Sequence, residues 1–152
     1  MRIDRIYLDT SVIGGVNDDE FSSATISLFK MFKQDIYIPV ISLHTLNELI
    51  EAPEIVRGVL DTIEYEFCDV ITEEMEYLAD KYIHYKIVTP KYKSDALHVA
   101  ISTVLRCDLL VSWNFKHIVH YEKMRGFNRV NQLENYGILF IKNPNEVIRN
   151  EK

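Results

Sequence analysis

Five short apolar runs, each closed by a turn or cap signal and set apart by helix-length segments, constrain this chain more than any other feature. They are Ile3–Leu8, Ile36–Ile41, Phe67–Ile71, Leu109–Trp113 and Ile138–Ile141. Runs this short and this apolar read as strands buried on both faces, and strands alternating with helices imply a parallel sheet covered on each side. Between them, Ser22–Phe32 carries Thr25, Leu28, Phe29 and Phe32 at helical spacing, with Ser22 or Ser23 as N-cap. Ser42 caps a short helix from His44 to Glu51, and Pro53 redirects the chain into another that reaches Tyr65. Thr72 with Glu73 and Glu74 opens a helix toward Lys86, and Ser94 opens an apolar one ending at Cys107. Gly14-Gly15 and Asn17-Asp18-Asp19 mark a loop, and Asn143-Pro144 is the cap and first-turn pair of a last short helix. Pro39 inside the second run predicts an irregular or edge strand. The expectation is an α/β fold with a five-stranded, mainly parallel sheet and helices on both faces. At 152 residues, positions 1–152 suit a single domain.

No apolar run approaches the roughly 20 residues that cross a bilayer, so no membrane partner is expected. The start, Met1-Arg2-Ile3-Asp4-Arg5, lacks the apolar core of a secretory signal, which predicts a cytoplasmic protein. Cys68 and Cys107 sit in apolar stretches and read as buried free thiols. A formal net charge of −6 argues against a general nucleic-acid binder. The charge is uneven, however. Asp61–Asp80 holds eight acids and no base, whereas Lys116–Arg129 holds four bases against Glu122 alone. These segments are either two solvated helix faces or, for the second, an edge that contacts phosphate.

The chain has no Gly-rich phosphate loop, no nucleophile elbow, no HExxH and no CxxC pair. A phosphate-ester hydrolase would need a phosphate cradle or an Asp-x-Asp nucleophile, and Asp9-Thr10-Ser11 supplies neither. His98, His117 and His120 lack a Cys partner and ligand spacing, so they do not read as a metal site or a nucleophile–base pair. What remains is a set of residues at strand ends. Asp9 ends the first strand, Glu48 lies about two turns into the helix after the second, Asp95 is in the first turn of the helix before the fourth, and Asn114 follows the fourth. Each also has an ordinary reading: turn cap, solvated charge, dipole-favoured acid and turn residue, respectively. If strands one and four are neighbours where the strand order reverses, all four converge in one crevice. Carboxylates crowded there repel one another unless a cation joins them, and hard oxygen ligands suit Mg²⁺ or Mn²⁺. Trp113, beside that crevice, is either core or a platform for a base.

Tyr7-Leu8-Asp9-Thr10-Ser11-Val12-Ile13-Gly14-Gly15, Asn47-Glu48-Leu49, Ser94-Asp95-Ala96-Leu97-His98-Val99-Ala100 and Leu110-Val111-Ser112-Trp113-Asn114-Phe115-Lys116-His117 resemble, in order, the successive motifs of PIN-domain proteins, a group that includes the VapC-like toxins of toxin–antitoxin pairs. The resemblance spans Tyr7 to about Val147. It implies a sheet in the order 3-2-1-4-5 and a Mg²⁺- or Mn²⁺-dependent endoribonuclease. It also implies a cytoplasmic setting and an antitoxin protein or a second copy of the chain as partner. Asp9, Glu48 and Asp95 fall on the family's metal-binding acids. Asn114 falls on a fourth acidic position and brings no charge there, which opens an alternative: a PIN domain that binds RNA or a protein without cutting. For the nuclease, unstacked single-stranded or loop RNA is the expected substrate.

Overall fold

The structure, a computed structural model, describes residues 2–148. Five strands form one sheet: β1 (Arg5–Leu8), β2 (Ile38–Ser42), β3 (Glu66–Cys68), β4 (Leu109–Val111) and β5 (Phe140–Lys142). Their order is β3-β2-β1-β4-β5 and every pairing is parallel. Strand alternation sends Tyr7, Val40, Leu110 and Ile141 to one face and Ile6, Leu8, Ile41 and Val111 to the other, and each set seeds its own core. On the first face pack α5 (Glu73–His84), α6 (Lys93–Val104) and α7 (Tyr121–Leu133). The second carries α1 (Thr10–Gly14), α2 (Ser22–Lys33), α4 (Glu54–Arg57) and α8 (Pro144–Ile148), while α3 (Leu43–Glu48) leads off β2. Among the described residues no helix is long and apolar enough to cross a membrane.

Several boundaries differ from the sequence expectation, each for a physical reason. Asp9 caps a short helix, α1, where its ordinary reading is a turn cap, and a 3-10 turn at Gly15–Asn17 begins the expected loop. The stretch after Pro53 is not one helix: α4 lasts a single turn and passes into a 3-10 turn at Gly58–Thr62. β5 starts at Phe140 because the Asn128 side chain holds both backbone groups of Leu139, taking them out of the ladder. Pro39 lies in an interior strand rather than at an edge. Ile38 N–H bonds to Asp4 on the β1 side, so position 39 faces β3, whose pairing begins only at Val40. The missing N–H therefore leaves no gap. Both cysteines are free, but only Cys107 is buried; Cys68 is partly exposed.

All four long helices end with a residue in the left-handed region: Asp35, Lys86, Arg106 and Asn135, with φ of 58°, 63°, 57° and 68°. The next N–H reaches back to close each helix, as Ile87 does to Tyr82 and Cys107 to Ser102. Asn135 and Asp35 tolerate that conformation more readily than Lys86 and Arg106. Lys86→Gly is therefore expected to raise stability by up to about 1 kcal/mol in a denaturant titration. Gly15 presents the opposite case. A Cβ there would lie 2.5 Å from Thr25 Oγ1 and 2.8 Å from Trp113 Nε1. Gly15→Ala is expected to cost about 1–3 kcal/mol by the same measurement, because neither neighbour has room to move.

Candidate metal centre

The carboxyl ends of β1 and β4 lie side by side, and the strand order reverses between them. An open parallel sheet leaves a crevice at that point. Asp9 enters it directly from β1. Its Oδ1 accepts from Val12 N–H at 3.2 Å and the Ser11 hydroxyl at 2.7 Å, and its Oδ2 from the Ser112 hydroxyl of the β4 end at 2.6 Å. Only 3% of Asp9 is exposed. Burial pushes its pKa above the ordinary carboxylate range, and the His98 imidazole and these hydrogen bonds offset only part of that.

Asp95 comes to the same crevice from the first turn of α6 and is half-buried. Its pKa is also raised, chiefly by burial and further by Asp9, against the pull of His98, His117 and the Asn114 side chain. None of the ion pairs among the described residues involves Asp9 or Asp95. Two acids raised together without a Lys or Arg partner are the environment that a bound divalent cation relieves.

Asn114 lies beside Asp95 in the turn after β4. Its Oδ1 accepts from His117 N–H at 2.9 Å, which closes the turn after β4. The side chain also neighbours Asp95 and offsets part of the rise in its pKa. The His117 ring stacks on Tyr92 with centroids 3.6 Å apart. Trp113 is core: 6% exposed, stacked on Phe21 at 4.1 Å, with Nε1 donating to Thr25 at 2.9 Å.

Glu48 has a different company. It closes α3, and its carboxylate accepts from the Thr10 and Ser94 hydroxyls and lies 2.6 Å from His98 Nε2. Burial alone would raise its pKa, but the His98 bond and charge, with the two hydroxyls, hold it down at about 2. His98 is buried, and its Nδ1 meets the Tyr7 hydroxyl at 2.7 Å. His44, one turn before Glu48, sits 3.9 Å from the same carboxylate oxygen. Burial, then His98, lowers the His44 pKa.

Asp9, Asp95 and Asn114 are thus neighbours by the carboxyl ends of β1 and β4, whereas Glu48, expected among them, gathers instead with His44 and His98 and touches α1 through Thr10. Sequence reading missed His44, His98 and the hydroxyls that hold the acids. The available signals were the i, i+4 spacing of His44 and Glu48 and the i, i+3 spacing of Asp95 and His98, which put each pair on one helix face. As for the charged segments, Glu76 and Asp80 pair with Lys93, and Lys123 donates to the Ile87 carbonyl at 2.8 Å.

An all-parallel sheet in this order, with helices on both faces, defines a PIN-like fold. A chain in the crystal structure of VapBC2 from Rickettsia felis, bound to a DNA fragment from their promoter, is similar to this one. The two share 16% identity and a TM-score of 0.53 over 91% of this chain and 98% of that one. That likeness is one of fold. No protein-family model and no curated protein matches the sequence.

Proposed function

We propose that this chain is a metal-dependent endoribonuclease of the PIN type that cuts single-stranded or loop RNA in the cytoplasm, as the toxin of a toxin–antitoxin pair. The observation that carries this reading is the pair Asp9 and Asp95, both raised by burial and both without a basic partner, at the crevice where β1 meets β4. Asp9 and Asp95 would hold Mg²⁺ or Mn²⁺, with Glu48 reaching the ion directly or through water. When bound, the ion supplies activation of a water and stabilisation of charge at phosphorus. The chain's own residues set Asp9 in place through Ser11, Ser112 and the Val12 amide, and Asn114, beside Asp95, would orient a water or a phosphate oxygen. With a net charge of −6, attraction for phosphate falls to the ion and to the basic segment Lys116–Arg129.

The test is cleavage of a mixed-sequence single-stranded RNA by the purified protein with Mn²⁺ or Mg²⁺, stopped by a chelator. Cleavage that persists with the chelator would overturn metal dependence. The toxin reading adds a partner: a homodimer, or a complex with an antitoxin protein. Light scattering is expected to give twice the chain mass, and a monomer at high concentration would count against the toxin reading but not the nuclease one. A second reading, a PIN-like domain that binds RNA or protein without cutting, is favoured by Asn114, which brings an amide where the resemblance places a fourth acid.

A further inference from the structure

Two nitrogen ligands and one oxygen ligand converge beside the acidic crevice. His44, Glu48 and His98 each offer one ligand atom, and these atoms lie within 4.8 Å of one another. His44 and Glu48 share a face of α3, and His98 comes across from α6. We propose that these three side chains form a second metal site, for a borderline divalent ion of the Zn²⁺ class, which shares Glu48 with the hard-ion position but takes neither Asp9 nor Asp95.

The donor set favours that choice. Imidazole nitrogen binds Zn²⁺ far better than Mg²⁺, and two histidines with one carboxylate are a common three-ligand set that leaves a fourth position for water or substrate. The separations are within reach. Bonds of about 2.0–2.2 Å in tetrahedral geometry set ligand atoms about 3.4 Å apart. His98 Nε2 to Glu48 Oε1 is 2.6 Å and His44 Nε2 to the same oxygen is 3.9 Å. One gap must open by about 0.8 Å and the other close by about 0.5 Å. On binding, the His98–Glu48 hydrogen bond is replaced by two coordinate bonds. His44 exchanges its contacts with the Ser94 carbonyl, 3.1 Å, and hydroxyl, 3.0 Å, for the third.

The surroundings fit a ligand as well as a hydrogen-bond partner. His98 Nδ1 lies 2.7 Å from the Tyr7 hydroxyl, which lies 2.8 Å from Ser42 Oγ. In the metal-free fold His98 Nε2–H donates to the ionised Glu48; when an ion takes Nε2, the ring proton sits on Nδ1, which donates to Tyr7 while Tyr7 donates to Ser42. A buried partner on the second nitrogen is how proteins fix the tautomer and aim of a metal-bound histidine. Ser94 holds the other Glu48 oxygen in the same manner. His98 has 3% of its side chain exposed and His44 15%, while Glu48 has 32%, so the cluster is walled by protein and entered from the Glu48 side.

This inference does not rest on nuclease activity, and its test does not measure it. The metal-free full-length protein is titrated with Zn²⁺ by calorimetry and with Co²⁺ by visible absorption, which reports nitrogen ligation and low coordination number. One tight equivalent is expected to bind, with any ion taken by the acidic crevice held more weakly. His44→Gln, a partly exposed position, is expected to weaken binding about 100-fold or more and abolish the Co²⁺ bands. Tyr7→Phe is expected to weaken it about 10–100-fold through loss of the tautomer-fixing partner. Asp95→Asn should leave both signals unchanged. Absence of Zn²⁺ binding to the wild-type protein, or binding that His44→Gln leaves intact, overturns the site. Loss of binding in Asp95→Asn would also overturn it, because the ion would then sit in the acidic crevice.

Discussion

Asp95→Asn is expected to abolish metal-dependent cleavage and, at neutral pH without metal, to make the protein more heat-stable than the wild type. The two halves have one cause. Burial, with Asp9 adding to it, raises the Asp95 pKa above its ordinary value of 3.8. The folded state therefore binds this proton more tightly than the unfolded state does. Its stabilising contribution is complete below the unfolded pKa and is lost as pH rises through the folded one, so the ionised group disfavours the fold at pH 7. Asparagine has the same shape and no charge to bury. The thermal advantage of the variant should shrink as pH falls toward 4, where the wild-type carboxyl is itself protonated. Removing one of two principal carboxylates should lower cleavage by a factor of about 10³ or more, because the ion is lost along with the water it activates. Calorimetric melting across pH 4–8, with a cleavage assay in Mn²⁺, checks both halves. Full activity in the variant would remove Asp95 from the site. Lower stability across that range would mean that its charge is already compensated in the metal-free fold.

The sheet was legible because parallel strands buried on both faces must be written as unbroken apolar runs, and Tyr7, Leu8, Leu110 and Val111 are wholly buried as such runs require. α7 was harder to see. It buries little beyond Phe127, Val130 and Asn131, so its bases dominated the reading and the helix was only one of two options for that segment. α1 was hidden for another reason: its cap is Asp9, and a residue that looks catalytic and a residue that starts a helix carry the same sequence signal.

The site was legible in part. Asp9 and Asp95 are 86 positions apart in the chain, but strand-end placement together with the β1–β4 pairing brings them together. The role of Glu48 was not legible. An acid on a helix is read as a solvated charge or as a ligand, and the sequence does not say that His98, fifty positions on, bonds to it. The same limit applies to Tyr7. As a strand residue it reads as core, and its hydroxyl's bonds to His98 and Ser42 follow only from the fold.

Asn114→Asp is expected to tighten Mn²⁺ binding by about tenfold or more and to lower the stability of the metal-free protein. Asn114 lies beside Asp95, and its Oδ1 accepts from His117 N–H. An aspartate can keep the His117 bond, so the turn after β4 should survive. Its carboxylate then adds a negative charge beside Asp95, and a neutral neighbour becomes a repelling one. At an effective dielectric near 20, a unit charge about 4 Å away is worth roughly 4 kcal/mol before desolvation. Desolvation and solvent at this half-exposed rim remove much of that. The remainder penalises the metal-free state and favours the cation, so metal should raise the melting temperature of the variant more than that of the wild type. Calorimetric titration with Mn²⁺ and melting with and without the ion measure both effects. If the wild type does not cut RNA and Asn114→Asp does, the natural protein is the binding domain of the second reading. Unchanged affinity and unchanged melting would mean that position 114 serves the turn alone and takes no part in holding the ion.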